Sequence, residues 1–437
     1  MSLTSPLLGL ALTACGSEAH EVPVSPPAPV RQPLLVPVRS KLLVPRSELN
    51  ASLVLTPDLA HHARVRTQTD GSWEVIHDGR PVASGLGGVL DGTPVLLSGG
   101  QRVAWGERSG QGWRVVVAGQ ATAAFAALGK VGIAVSTDGE HLAWQGQVDG
   151  GWQVLLDGEA VGTWADVGPP VLSPSGGHLA FAAQGTEGQV LVRDGHATPL
   201  SGTPIAAAFS ASGDVLTLVV QRSDGFWSVR NGVDDGPFAD LGSPVHAPRG
   251  DRWALPQQVE GRWDVRVDGV SGVQHERVGH PGPQFDPSGQ HVAWWAQDDG
   301  VLRVYRDGKP GRPQGGVGDL PLVWSADGEH LAWLGRTPEE TGDRSWHVVV
   351  DDVPFLAREQ VAQVALSSDG AFVAWVGREG DGWAVRLGRT RDGEISSTDL
   401  VEGVGTDFGG GIAFAEGILR YTTIDGLGLV VNEVEIF

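Results

Sequence analysis

Ser136-Thr-Asp-Gly-Glu-His-Leu-Ala-Trp144 returns almost unchanged as Ser325-Ala-Asp-Gly-Glu-His-Leu-Ala-Trp333. Looser copies are Ser173-Pro-Ser-Gly-Gly-His-Leu-Ala-Phe181, Asp286-Pro-Ser-Gly-Gln-His-Val-Ala-Trp294 and Ser367-Ser-Asp-Gly-Ala-Phe-Val-Ala-Trp375. A second block follows, of the form Trp-x-Val-x-x-Asp-Gly, as in Trp152-Gln-Val-Leu-Leu-Asp-Gly158. The turn glycine five residues ahead of the aromatic falls at Gly100, Gly139, Gly176, Gly213, Gly250, Gly289, Gly328 and Gly370, a spacing of 37 to 42 residues. Degenerate copies flank these eight, one from Leu53 to Gly79 and one from Ile412 to Val431. A fixed period of this length is that of one four-stranded propeller blade.

Within a unit the strands follow from the residues. Val131–Val135 alternates as a first strand, Asp138-Gly139 turns, and His141–Trp144 is the second. Trp152–Leu156 is the third, Asp157-Gly158 turns again, and Val161–Trp164 is a short fourth. Asp-Gly between apolar runs favours a hairpin, because Gly accepts positive φ and Asp bonds its own backbone. The two-residue alternation suits strands, and no stretch of the repeat sustains a helical period. The expected fold is all-β: a single large propeller of about eight to ten four-stranded blades. Two smaller rings meeting near Gly250 are the alternative.

This order of strand, Ser-Pro-Asp-Gly-like turn, Leu-Ala-aromatic strand and Asp-Gly turn resembles the bacterial propeller repeat of the TolB-like, WD-like proteins. The resemblance runs from Leu53 to Val431. It implies the propeller fold and leaves the activity open, since such propellers host many functions. The chain departs from TolB in having more units than six blades and no separate α/β domain ahead of them.

The formal charge is −21, from 52 acidic and 31 basic residues. Such a surface repels nucleic acid and anionic lipid and favours basic partners or cations. Cys15 is the single cysteine, which excludes an intrachain disulfide framework. It ends the apolar run Leu7-Leu-Gly-Leu-Ala-Leu-Thr-Ala14 and is followed by Gly16-Ser17. That setting resembles a bacterial lipobox and implies diacylation of Cys15, although no Lys or Arg precedes the run. The expected organisation is a signal peptide with lipobox over 1–15, a Pro-rich tether over 16–49, and the propeller over 50–437. Part of the tether, such as Lys41-Leu-Leu-Val44, reads alternatively as the strand that completes the final blade.

The chemistry-bearing residues are mostly scaffold. Trp105, Trp144, Trp294, Trp333 and Trp375 recur on the second strand; Trp73, Trp113, Trp152, Trp227, Trp263, Trp346 and Trp383 open the third. An aromatic required once per blade packs between blades. Trp164, Trp253, Trp295 and Trp324 break register and are expected to be exposed contact residues. His141, His178, His291 and His330 share one position after the turn and read as solvent-facing, too far apart to share a metal. No nucleophile elbow, zinc motif or phosphate loop is present, so no metal and no cofactor are expected.

One constellation remains. The segments leading from a fourth strand to the next first strand meet at one mouth of the channel. They offer Asp91, Lys130, Asp166, Thr203, Asp240, His280, Asp319, Glu359 and Asp407. Six of these nine are carboxylates, and clustered like charges recruit cations or raise pKa values. The expected function is a non-enzymatic binding scaffold of the bacterial envelope, a lipid-anchored monomer whose channel-mouth loops take a basic protein or envelope ligand. Its membrane contact would be the lipid anchor alone, with no nucleic acid bound. A propeller polysaccharide lyase or hydrolase with a channel-centred site is the alternative.

Overall fold

The computed structural model describes residues 38–48, 52–318, 322–336, 346–354, 360–379, 382–390, 397–404, 411–424 and 427–436. They form ten antiparallel sheets in chain order, the blades of a single β-propeller. Blades 1 to 10 begin at Val54, Val95, Leu128, Val171, Thr203, Asp240, Arg277, Gly316, Gln360 and Ile412. Strands a to d follow within each, and the a strands of most neighbouring blades touch one another, which places them innermost. In blade 6 the outer edge is held by the isolated bridges Val267–Val270 and Trp263–His275.

The ring closes on itself, which removes the two-ring alternative. Strands a, b and c of blade 10 are Ile412–Ala415, Ile418–Ile424 and Gly428–Glu435. Its strand d is Val38–Pro45, paired from Val38 opposite Val434 to Pro45 opposite Gly428. The tether drawn over 16–49 therefore gives way to a strand at Val38, and Lys41–Val44 completes the last blade. Just beyond, Glu48 pairs with Arg64 and Arg66 of blade 1, and Arg420 of blade 10 donates to the Asp58 carbonyl at 3.4 Å. Pairing both chain ends in one blade leaves no open edge at the join. The lipobox and Cys15 lie outside the described residues.

The core is a set of seams between blades. Trp144 of blade 3, 1% exposed, packs against Leu97, Ala104 and Val115 of blade 2. Trp105 and Trp375 fill the same place in other seams. From the opposite side comes the strand c residue of one shared register: Trp73, Trp113, Trp346 and Trp383, with Phe226 and Leu302 in blades 5 and 7. Phe226 stands opposite Gln221 at that register, so Trp227 sits one place on and faces the other seam.

The four out-of-register tryptophans are not free contact residues. Trp295 is buried in the seam between blades 7 and 8, and Trp164 meets the Phe181 ring edge-on at 4.9 Å. Trp324 and Trp253 lie under the guanidinium groups of Arg306 and Arg230. Their positions fall outside the sequence motif but still project into seams, where apolar burial holds them.

The Asp-Gly turns form one rim. His141 Nδ1 meets Asp157 Oδ2 at 2.7 Å, while the Leu142 N–H donates to Asp157 Oδ1 at 2.9 Å. The same clamp joins His178 to Asp194, His291 to Asp307, and His330 to Asp351. These half-exposed imidazoles are thus tied within their own blades; the bond from Asp157 raises the His141 pKa above its ordinary value. Gly176 of blade 4 lies so close that a Cβ there would meet the His141 ring at 2.3 Å. Its φ of +67° adds a second reason for glycine.

Candidate functional site: the seam between blades 4 and 5

Strand c of blade 4 (Gly188–Arg193) breaks the packing rule. Gln189 stands opposite Gln184, the register at which Trp113 stands opposite Arg108 in blade 2. Beside it on strand b, Ala182 takes the place held by Gln145, Val219, Trp295 or Leu334 in other blades. The aromatic of strand c is missing from this seam, and Ala182 is smaller than those four counterparts, although Gly106 of blade 2 is smaller again. Across it, strand a of blade 5 (Thr203–Phe209) offers Ala206 and Ala207. The result is a cavity of about 400 Å³, within the usual size range of ligand pockets.

Its walls are Phe181, Leu191, Leu218, Val171 and a run of alanines; Asp166, Gln184, Gln189 and Thr203 supply the polar groups. Ile205, 55% exposed, stands at its entrance. The wall formed by Val167 and Gly168 is held from behind. Gln145 of blade 3, itself buried, donates its side-chain amide to both carbonyls, at 3.1 and 2.6 Å. Asp166 Oδ1 accepts the Val167 N–H at 3.0 Å and leaves the exposed carboxylate facing solvent with its other oxygen. A wall fixed by a buried amide is a preorganised site, since no loop must order when a ligand enters.

A second cavity of about 820 Å³ opens on the outer side of the same seam and shares Leu191 and Leu218 with the first. Its origin is the short strand d of blade 4, His196–Pro199, against six residues in Glu159–Trp164 and Val233–Phe238. Arg193, Arg222, Asp194 and Asp234 edge this groove, with the Arg222 to Asp234 pair at 2.6 Å.

The predicted channel-mouth residues fall into two rows. Asp166, Thr203 and Asp240 share one register, each opposite a glutamine of strand b: Gln184, Gln221 and Gln258. Asp91, Lys130 and His280 lie three residues further along, counted from Gly88, Ala127 and Arg277 at that register. The cause is the length of the interruption in the first strand: Ala127 to Ile133 faces Gln147 to Trp144 in blade 3, whereas Asp166 to Val171 faces Gln184 to Ala180 in blade 4. A blade-by-blade reading of the connecting segments slips wherever the number of extra residues changes. At the shared register the described blades read Gly88, Ala127, Asp166, Thr203, Asp240, Arg277, Gly316 and Gln360. Asp319, Glu359 and Asp407 lie outside the described residues. Asp166 and Thr203 are brought to the seam cavity; Asp91, Lys130, Asp240 and His280 are not among its lining residues.

Sequence reasoning missed Gln189. Its signal was present as Gly188-Gln-Val190 where most other units put an aromatic at this register and blade 7 puts Leu302, but a missing tryptophan only becomes a cavity once its seam is known.

No protein-family model matches the chain, and neither does any curated protein. Solved structures do. A eukaryotic initiation factor aligns over 74% of this chain and 90% of its own length at 12% identity, with a TM-score of 0.42. The dihydro-heme d1 dehydrogenase NirN aligns over 82% and 78% at 14% identity and a TM-score of 0.35. TolB of Acinetobacter baumannii aligns over 70% and 81% at 13% identity and a TM-score of 0.25. At this level none of them carries an activity or a partner over to this chain.

Proposed function

We propose that this propeller is a non-catalytic binding scaffold whose seam between blades 4 and 5 receives a bulky apolar side chain of a partner protein. The observation that carries this is the unfilled register at Gln189, which leaves a preorganised apolar cavity where other blades are packed. The exposed Asp166 at its edge, on a chain of charge −21, favours a partner with Lys or Arg beside the apolar anchor. A single carboxylate among amides and a hydroxyl supports binding rather than paired acid–base catalysis. The lipobox-like Leu12–Cys15 supports an envelope location with a lipid anchor.

Selection of short displayed peptides against the full chain tests this. Enriched peptides should carry a large apolar residue next to a basic one. Burying one such side chain is worth about 1.5–3 kcal/mol, so Gln189→Trp, which fills the cavity, should weaken them by roughly tenfold or more. Asp166→Asn should weaken them less and flatten their salt dependence. Peptides that bind Gln189→Trp as well as the parent would sink the proposal.

A further inference from the structure

Blade 1 carries an arrangement found in none of the other described blades, on the rim opposite the seam cavity's entrance. Its clamp is built as elsewhere: His61 Nδ1 meets Asp78 Oδ2 at 2.7 Å, and the His62 N–H donates to Asp78 Oδ1 at 2.9 Å. Two neighbouring positions differ. His62 replaces the apolar residue that follows the clamp histidine, Leu142, Leu179, Val292 or Leu331 in blades 3, 4, 7 and 8. His77, opposite Ala63, replaces Leu156, which stands opposite Ala143 in blade 3. Three imidazoles therefore surround one carboxylate. His77 Nε2 is 3.8 Å from Asp78 Oδ2, and His62 Nδ1 is 3.5 Å from Asp78 Oδ1.

We infer that His61, His77 and Asp78 form a binding site for a divalent transition-metal ion of the Zn²⁺ class. Their ligand atoms all lie within 4.8 Å of one another. Ligands about 2.1 Å from a tetrahedral ion stand roughly 3.4 Å apart, so the observed 2.7 and 3.8 Å separations need changes of about 0.7 and 0.4 Å. Two imidazoles and one carboxylate select ions of borderline softness over Ca²⁺ or Mg²⁺ and leave positions open to water.

The surroundings suit that role. The Gln101 amide of blade 2 lies 3.2 Å from His61 Nε2, the ring nitrogen not facing Asp78, and so orients that ring, while His77 Nε2, now 2.7 Å from the Gly100 carbonyl, would exchange that bond for the ion. His62 is 3% exposed and its Nε2 has no hydrogen-bond partner, an unusual cost for a position that is apolar elsewhere. Asp78 is 38% exposed, which gives an ion a path in. The site is independent of the seam proposal, since it shares no residue with it.

The test uses the full chain, stripped with chelator and titrated with Co²⁺ and then Zn²⁺. One Co²⁺ per chain should bind with a visible ligand-field spectrum, and one Zn²⁺ should displace it. Two variants borrow residues that other blades already carry. His77→Leu installs the residue of blade 3. Asp78→Asn installs that of blade 5, where Asn231 Oδ1 accepts the Leu216 N–H at 2.9 Å and so keeps the clamp. Each should weaken binding by roughly a hundredfold or more, beyond the loss expected from an outer partner alone. His141→Asn, in a blade with one imidazole, should change nothing. The assignment is overturned if no saturable stoichiometric binding occurs, or if the spectrum survives His77→Leu, which would place the ion on the acidic surface at large.

Discussion

The seam between blades 2 and 3 and the seam between blades 4 and 5 are built on one register and end differently. In the first, Trp113 from strand c and Trp144 from the facing strand b close the space together with Phe125 and Leu128. In the second, Gln189 and Ala182 stand on the blade 4 side and a cavity remains. A repeated residue describes the scaffold; the place where the repeat fails is where two otherwise alike seams part. His246 in blade 6 is a failure of another kind, in polarity rather than volume. It occupies the position of Leu172, Phe285 or Trp324 in blades 4, 7 and 8.

The comparison of seams predicts unequal truncations. Trp113→Ala should destabilise the chain by about 3–5 kcal/mol, the usual cost of emptying an aromatic site. Gln189→Ala should cost under about 1 kcal/mol, because the space beside it is already empty. Equal losses in urea unfolding would show that the two seams are packed alike and would break the contrast.

His246 gives the next largest effect, through pH. Burial pushes its imidazole down to about 4, with the Arg230 charge adding to the shift. In the unfolded chain it takes its proton near the ordinary value of 6.5. Its contribution is therefore complete above that value and is lost as pH falls from about 6.5 towards 4, by roughly 3 kcal/mol. His246→Phe, the residue of blades 5 and 7 at this position, should remove that part of the acid sensitivity. A variant whose stability falls with acid as steeply as the parent's would contradict the assignment.

The smallest effect sharpens the contrast from the other side. Gln189→Trp should raise stability by about 0.5–2 kcal/mol, as cavity filling commonly does, and so raise the melting temperature. A loss of about 1–3 kcal/mol would instead mean that the cavity does not have the shape of the missing indole.

Much of the scaffold was legible in the residues. The 37-to-42-residue period, the Asp-Gly turns and the tryptophans of strands b and c specify blades, because local turn chemistry and alternation are properties of short segments. The closing strand was legible as Lys41–Val44, one of two readings of the leader. The candidate site was half legible. Asp166 and Thr203 were found by following the connections into strand a, and both line the cavity. Asp91, Lys130 and His280 were counted into the same ring, yet bulges set them three residues away. The number of residues in such an interruption becomes visible only once the pairing of strands a and b is known.

By itself, then, the sequence determined that this chain builds repeated antiparallel blades, and which aromatics each blade must bury. Periodicity and turn propensity act over a few residues and need no partner to be read. Only the tertiary structure decided what the exceptions mean. Gln189 is an ordinary polar residue until blade 5 stands beside it and leaves its space unfilled. His61 and His77 are sixteen residues apart until strands b and c of blade 1 bring them to the same aspartate. Volume and proximity are properties of packed surfaces, so they arise only when the ring is assembled.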